Sequence, residues 1–409
     1  MDAVFAAQYR LLQRAFARER IEINVALTHD GTVDYVYRSR RLLTRDRGRN
    51  VEQLNELLPG ITRTDEPAYG DLVVMNIEGV ERGSLSVPQT LDLLDDRLGD
   101  DNPARQGETP LATPDHVVTI ARLCPATEPE VPIGTPVQPW PAQLPSAAQV
   151  GPVLIGVADT GRLDGPLSAW LSGIQGDIDA LGPILPSGLA RIPPFTGHGT
   201  FAAGVARCMA PQADVYVADH FSLSGGELES AIVARLDDLI QQQGPAVVNL
   251  SAGTYTRNNW TSLGFDVFNE THPGVVLVAA AGNDSTDRPF YPAAYPWAVS
   301  VGALGPDQAH RAWFSNYGSW VDVYALGEGM VNAYAHGEYV YQEPPKAPAV
   351  QVFKGMSRWD GTSFAAPLVA GMIAGHLSAH GGTPEEAKNA VLSQATLVPG
   401  VGQALLLQL

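Results

Sequence analysis

Three short segments of the sequence carry side chains that together could perform nucleophilic chemistry. Asp159 ends an apolar run in GVADTG, His198 lies in GHGTFAAGV, and Ser363 lies in DGTSFAAPLVAG. A serine hydroxyl needs a neighbouring base to become a nucleophile, and a carboxylate can orient that base. The three residues are therefore candidates for an attack on a carbonyl group.

Each segment also has an ordinary structural explanation. The DTG sequence around Asp159 is typical of turns, a single histidine is often structural, and Ser363 could be a simple helix N-cap. Two features favour function. His198 stands between two glycines, which permit close backbone approach. Pro367 lies inside the helix predicted after Ser363, where a proline requires accommodation by its surroundings.

A fourth segment, AAAGND, places Asn283 after an apolar run and a glycine. Its side-chain amide could donate a hydrogen bond to a tetrahedral intermediate, and removal of such a donor costs roughly 3–4 kcal/mol of barrier. Backbone N–H groups at the start of the helix that carries Ser363 could act in the same way. We therefore predict that Asn283 is an oxyanion donor.

In chain order the segments are DTG, GHGT, AAGN and GTSFAAP, and this order resembles the subtilase family of serine proteases. The resemblance extends from about residue 152 to residue 393. It implies that Ser363 attacks the scissile carbonyl and that His198 is the general base. Asp159 would then orient His198, and Asn283 would complete the oxyanion hole with the backbone N–H of Ser363.

The resemblance also implies a substrate site for a protein or peptide. VVNLSAG would be the strand that pairs with an extended peptide. The residues predicted to line the two sides of a specificity pocket are Leu250, Ser251, Ala252 and Gly253, and Ala280, Ala281 and Gly282. Their small size predicts a roomy pocket, although they could instead be close-packing positions. No cofactor is expected, and no compact run of acidic ligands predicts a metal site.

Apolar, mostly β-branched runs recur after residue 152 and predict an α/β fold, a parallel sheet with helices on both faces. The resemblance implies that this sheet belongs to a subtilisin-like catalytic domain. The predicted strands are 153–158, 213–218, 246–250, 274–281 and 298–303, with a helix at 227–242. The stretch between Gly327 and Asp360 is predicted to be a surface hairpin or flap near the active site, with its tyrosines packed along a strand.

Residues 1–125 are predicted to form a small α+β N-terminal domain. Its predicted elements are helices at 10–20, 51–58 and 87–98 and strands at 33–43, 72–77 and 116–121. Residues 126–150 are proline-rich and predict an extended linker, and residues 151–409 are the predicted catalytic domain. The N-terminal domain could be a prodomain whose following segment, 121–131, enters the substrate cleft. It could also be a regulatory or partner-binding domain, or an unrelated fusion.

The 409-residue chain has a formal net charge of −18, which disfavours nucleic acid and anionic lipid as partners. No stretch reaches the roughly 18 apolar residues of a membrane span, and the N-terminus lacks a secretory apolar region, so a cytoplasmic location is expected. Cys124 and Cys208 allow at most one disulfide, and Cys208 is predicted to be a buried free thiol.

These patterns predict a serine endopeptidase that performs limited proteolysis of a protein or peptide, with a regulatory partner as a further option for the N-terminal domain. The alternative is a catalytically silent subtilase-fold scaffold that only binds. An esterase or peptide ligase that uses the same acyl-enzyme is a third hypothesis.

Overall fold

The computed structural model describes residues 3–120, 128–132, 138–146, 149–165 and 168–407. Most of the predicted cleft segment, residues 121–127 with Cys124, lies outside this description. The N-terminal elements follow the predicted order. They are α1 (Ala3–Arg18), β1 (Ile23–Leu27), β2 (Val33–Arg45), α2 (Asn50–Leu57), β3 (Thr62–Arg63), β4 (Leu72–Asn76), α3 (Val87–Leu98) and β5 (Thr113–Thr119).

The rest of the chain alternates strands and helices, as predicted. Its elements are β6 (Leu154–Asp159), β7 (Arg162–Leu163), β8 (Gln175–Gly176), β9 (Ile178–Asp179), β10 (Arg191–Ile192), α4 (His198–Met209), β11 (Asp214–Asp219), β12 (Gly226–Leu228), α5 (Glu229–Gln243), β13 (Val247–Leu250), α6 (Leu263–Thr271), β14 (Val276–Ala280), β15 (Val299–Leu304), β16 (Val323–Leu326), β17 (Met330–Val340), β18 (Val350–Trp359), α7 (Thr362–His380), α8 (Pro384–Leu392), β19 (Thr396–Val398) and β20 (Gly402–Leu405).

The central sheet has the strand order β19-β20-β16-β15-β14-β13-β6-β11-β8. Its strands pair in parallel except for β19 with β20. Successive strand residues enter opposite cores: Val247 packs with α4 and α7, and Val248 packs with α5 and α6. Both faces are therefore covered by helices, which explains why these strands are continuous apolar runs.

Helix α7 runs through the middle of this core. By length and composition it could cross a membrane, but 78% of its most apolar window is buried inside the protein. Pro367 lies within it, as the sequence indicated. Near the C-terminal end of α4, Cys208 is a buried free thiol, which confirms that prediction.

The N-terminal elements form an antiparallel sheet of order β12-β5-β2-β4-β3, with β1 paired to β2. Adjacent leucines of β2 point to opposite sides, as strand geometry requires. Leu42 packs in the cluster with α2 and α3, whereas Leu43 packs in the cluster with α5 and α6. The N-terminal sheet thus lies on the outer helices of the central sheet, and β12 extends it.

Residues Met330–Trp359 form the predicted hairpin, in which β17 and β18 pair antiparallel and β10 pairs with β17. Tyr334 and Tyr339 on β17 are buried in the main core, so the hairpin is packed rather than a free flap. The described part of the proline-rich segment is extended, as predicted, but it is bound to this hairpin. Glu130 forms a β-bridge with Arg358, and Trp140 forms one with Val331.

Candidate active site

The carboxyl ends of β6, β13 and β14 meet at one edge of the central sheet, where ligands of open α/β sheets usually bind. Asp159 is the last residue of β6, Ser251 follows β13, and Asn283 follows β14 after a short turn. Helix α7 begins at the same edge and carries Ser363 in its first turn. Residues far apart in the sequence are therefore brought together by the parallel topology.

Asp159 and His198 form a buried pair. The two carboxylate oxygens of Asp159 lie 2.8 and 2.9 Å from Nδ1 of His198. Asp159 is 0% exposed and His198 is 3% exposed. The Thr160 N–H also donates to Asp159, at 2.8 Å. A methyl group at Gly199 would lie 2.5 Å from the Gly161 carbonyl oxygen, so the helix that starts at His198 can approach β6 only with glycine there.

Asp179 holds the two backbone segments of this pair together, and sequence reasoning missed it. One of its carboxylate oxygens accepts hydrogen bonds from Thr160 Oγ1 at 2.8 Å and from the Gly197 N–H at 2.7 Å. Thr160 and Gly197 are the immediate neighbours of Asp159 and His198. Burial raises the pKa of Asp179 to about 7, against the opposing effect of these hydrogen bonds. No sequence motif surrounds Asp179, because its role depends on contacts with distant residues.

Ser363 lies in the first turn of α7, directly before a residue whose ring contacts His198. The His198 ring packs at 5.0 Å from the ring of Phe364, the residue after Ser363, and at 5.2 Å from Trp359. The Ser363 hydroxyl is directed at two backbone carbonyl oxygens, those of Ile120 at 3.2 Å and Ser251 at 3.3 Å. The nucleophile candidate is thus in contact with the chain segment that leaves the N-terminal sheet.

Asn283 is oriented by the residue before Ser363. Its Oδ1 accepts hydrogen bonds from the N–H and from Oγ1 of Thr362, both at 2.9 Å, which directs its NH₂ group to the other side. A Cβ built on Gly361 would lie 3.5 Å from Asn283 Nδ2 and 3.6 Å from the Ser363 nitrogen. Two donors therefore lie close together beside Ser363, the arrangement needed to bind a negatively charged oxygen.

The edge beyond β13 is already paired with a strand of the same chain. The Thr119 N–H donates to the Gly253 carbonyl at 2.9 Å, and the Gly253 N–H donates back to Thr119 at 3.0 Å. On the other side, the Ile120 N–H donates to the Gly225 carbonyl at 2.9 Å. The end of β5 is therefore held between two segments, as an extended peptide is when it adds to a sheet edge.

The predicted pocket residues divide into two groups. Ser251, Gly253 and Gly282 lie at the edge described above: Ser251 Oγ donates to the Ser363 carbonyl at 2.7 Å, and the Gly282 N–H donates to Thr362 Oγ1 at 3.1 Å. The side chains of the others are buried in the hydrophobic core or packed against it, which leaves their backbones to form the walls. These are Leu250, Ala252, Ala280 and Ala281.

The expectation of a roomy pocket is wrong. The ring of Phe290 lies between the two predicted walls, since a Cβ built on Gly253 would lie 2.7 Å from Phe290 Cδ1 and one on Gly282 would lie 3.2 Å from the same atom. The walls are made of small residues, as the sequence indicated, but a large side chain from a later loop fills the space between them.

Comparison with known proteins identifies the family to which the chain belongs. The family model described as "Subtilase family" matches residues 186–406, more than half of the chain. The chain belongs to the subtilase family. The matched range includes His198, Asn283 and Ser363, whereas Asp159 precedes it, so the assignment of Asp159 depends on its contact with His198.

Similar curated subtilases include a thermophilic serine proteinase from Bacillus sp. (strain AK1), which is 32% identical over 223 residues, covering 51% of this chain and 49% of that one. Thermitase from Thermoactinomyces vulgaris is 30% identical over 216 residues, covering 50% of this chain and 70% of thermitase. The chain spans about half the length of the first curated relatives it matches.

A solved structure supports the fold over nearly the whole chain. Fervidolysin from Fervidobacterium pennivorans, described as a keratinolytic enzyme related to subtilisin, aligns with a TM-score of 0.56 at 20% sequence identity. The alignment covers 93% of this chain and 61% of fervidolysin. The α/β fold with a parallel subtilisin-like sheet, predicted from the sequence, is therefore confirmed.

Proposed function

We propose that this subtilase is a serine endopeptidase that performs limited proteolysis of protein or peptide substrates, with Asp159, His198 and Ser363 as its catalytic triad. The observation that carries the proposal is the extended segment that ends β5. Its Thr119 pairs with Gly253 through both backbone hydrogen bonds, and the next carbonyl oxygen, that of Ile120, lies 3.2 Å from Ser363 Oγ. A peptide bound in this way presents its backbone to the nucleophile.

The proposed mechanism assigns one step to each of these residues. Ser363 Oγ attacks the carbonyl carbon of the peptide bond while His198 Nε2 takes the hydroxyl proton, and Asp159 stabilises the resulting imidazolium through Nδ1. The negative charge on the former carbonyl oxygen is stabilised by Asn283 Nδ2 and the Ser363 N–H. His198 then gives its proton to the leaving amine, and an ester of Ser363 remains.

Water completes the cycle by the same steps. His198 removes a proton from a water molecule, which attacks the ester carbonyl and forms a second tetrahedral intermediate. Collapse of this intermediate releases the carboxylic acid and returns the proton to Ser363 Oγ. The pocket and the oxyanion donors act identically in both halves, so one arrangement of donors serves both steps.

We further propose that the N-terminal domain is an inhibitory, prodomain-like unit. Several buried polar contacts fix it on the helices of the central sheet. Asp115 accepts hydrogen bonds from the Ser230 N–H at 3.1 Å and from Ser230 Oγ at 2.9 Å, at the start of α5. His116 Nδ1 lies 2.6 Å from a carboxylate oxygen of Glu229.

An ion pair further along the interface supports the same arrangement. Arg45 binds both carboxylate oxygens of Glu270, at 2.6 and 2.7 Å, in the bidentate geometry that is the stronger form of such pairs. With β5 fixed in this way, a substrate cannot pair with Gly253 until the segment is cleaved or displaced. A permanently attached regulatory domain is the competing interpretation, and cleavage of the chain distinguishes the two.

The contact with the nucleophile supports a cleavage position. The carbonyl oxygen of Ile120, the last residue of the first described range, lies 3.2 Å from Ser363 Oγ. We therefore propose that the chain is cleaved at the end of β5, close to Ile120.

The test is hydrolysis of fluorogenic peptides together with labelling by a fluorophosphonate, which reacts with activated serines. We expect wild type to show both, and Ser363→Ala to lower kcat by at least about 10⁴-fold and to abolish labelling. Ser187→Ala, which alters an exposed serine, is the matched control and should behave as wild type. Absence of both hydrolysis and labelling in wild type whose linker has been cut by an added protease would favour the silent scaffold.

A further inference from the structure

We infer that Phe290 restricts the residue before the cleaved bond to a small side chain, alanine or glycine. The inference rests on the proposed function, since it concerns the substrate of the same site. In this account the two glycine-containing walls accept the side chain that precedes the scissile bond, and Phe290 determines how much space remains between them.

The contacts of Phe290 with both walls are the first observation. A Cβ on Gly253 would lie 2.7 Å from Phe290 Cδ1, and a Cβ on Gly282 would lie 3.2 Å from that same atom. A single ring edge therefore contacts both sides of the pocket. Because carbon atoms pack at about 3.5–4.0 Å, a substrate side chain with an aromatic ring cannot occupy the same space.

The ring of Phe290 is also held in place. It is 3% exposed and packs edge-on against Tyr255 with ring centroids 5.0 Å apart. The residue after it is fixed to the pocket wall, because Tyr291 and Thr254 exchange backbone hydrogen bonds at 2.8 and 2.9 Å. Moving the ring away would require this ladder or the Tyr255 contact to break, so we expect it to stay in place when substrate binds.

The competing explanation is that Phe290 is only a core residue. A core residue would affect stability when it is replaced, but it would not change the relative rates of two substrates that differ at one side chain. The ratio of kcat/KM between substrates is therefore the informative quantity, because a loss of folded protein cancels in that ratio.

The experiment uses fluorogenic peptides of the form Val-Thr-Ile-X, with X as Gly, Ala, Leu or Phe. The full chain is incubated until its mass no longer changes, and active sites are counted by fluorophosphonate labelling. For wild type we expect kcat/KM with X as Ala to exceed that with X as Phe by at least 100-fold. Phe290→Val, and Phe290→Ala if it folds, should raise the Phe-to-Ala ratio by 10-fold or more.

A matched control is Phe268→Leu, which alters another buried phenylalanine, on helix α6. It should leave the Phe-to-Ala ratio of kcat/KM unchanged. Equal rates for Ala and Phe peptides in labelled wild type would overturn the inference and leave the proposed function standing. An unchanged ratio in folded Phe290→Val would overturn it as well. If wild type neither hydrolyses any peptide nor labels, the proposed function fails and the inference fails with it. Should both variants misfold, the wild-type ratio decides alone.

Discussion

Thr119 and Gly253 exchange two backbone hydrogen bonds, with N–O distances of 2.9 and 3.0 Å, although 134 positions separate them in the sequence. Thr119 is the last residue of β5 in the N-terminal sheet, and Gly253 belongs to the edge that we propose binds substrate. The same N–H and carbonyl of Gly253 cannot bind a second peptide at the same time. The N-terminal domain and a substrate would therefore compete for the same two backbone groups of Gly253.

Removing one of these hydrogen bonds should weaken the inhibition. Thr119→Pro lacks the N–H that donates to Gly253, and a typical backbone hydrogen bond contributes about 1 kcal/mol. We expect the initial rate of peptide hydrolysis to rise by roughly 5-fold. Thr62→Pro alters the far edge of the same sheet and serves as the control, with no rise expected. A rate equal to wild type in folded Thr119→Pro would show that β5 does not block the site.

Asp179 should act as a positioning residue for the proposed triad. Asp179→Ala removes the acceptor shared by Thr160 Oγ1 and the Gly197 N–H, which frees the segments that carry Asp159 and His198. We expect kcat to fall by about 10- to 100-fold with KM nearly unchanged, since substrate contacts are elsewhere. Asp179→Asn keeps an oxygen acceptor and should retain kcat within about 3-fold. A rise in KM alone would contradict this role.

The same residue predicts a pH dependence of stability. Burial, with a smaller contribution from the charge of Asp219, raises the pKa of Asp179 to about 7 from an ordinary value near 3.8. The folded state therefore holds this proton more tightly than the unfolded state, so the free energy of unfolding falls as the pH rises from about 4 to about 7. Asp179→Asn has no proton to lose, and its stability relative to wild type should increase over that range. If the difference in free energy of unfolding between the two proteins stayed constant from about pH 4 to about pH 7, the assignment would be contradicted.

Glu128 should anchor the proline-rich segment to the hairpin. Its carboxylate accepts hydrogen bonds from Tyr339 OH at 3.0 Å and from the Gln342 N–H at 2.7 Å. Glu128→Ala leaves both buried donors unsatisfied, and we expect the free energy of unfolding to fall by about 2–4 kcal/mol. Urea denaturation measures this, with Glu108→Ala, at an exposed loop position, as the control. Equal midpoints for the two variants would mean that the segment contributes nothing to stability.

The parallel sheet was predictable, and the four motif residues could be singled out as candidates, because their signals are local. Continuous apolar runs such as Leu154–Asp159 mark buried parallel strands, and the helix Val87–Leu98 was predicted with its observed bounds. Its start is marked by a capping box at Ser86 and by a proline in the first turn. These features depend on residues that are neighbours in the sequence.

The remaining features depend on residues that meet only in the folded chain. Asp179 ends the short strand β9, in a stretch without a sequence motif, and contacts Thr160 and Gly197. Phe290 comes 37 positions after Gly253, so the small residues of the pocket walls predicted a space that a distant ring fills. Helix α1 begins at Ala3, earlier than the predicted residue 10, and Phe5 in its first turns packs in a cluster with residues of β1, β2 and β5.

The most direct test of the account is the intact mass of the purified chain before and after incubation, for wild type and for Ser363→Ala. Cleavage close to Ile120 should remove about 13 kDa from the 43.5 kDa wild-type chain, while Ser363→Ala stays at full mass. That result would identify the nucleophile and show that the N-terminal domain is removed by self-cleavage, as expected of a prodomain. Full-length mass for both proteins, with peptides still hydrolysed, would contradict the inhibitory prodomain and favour a permanently attached regulatory domain.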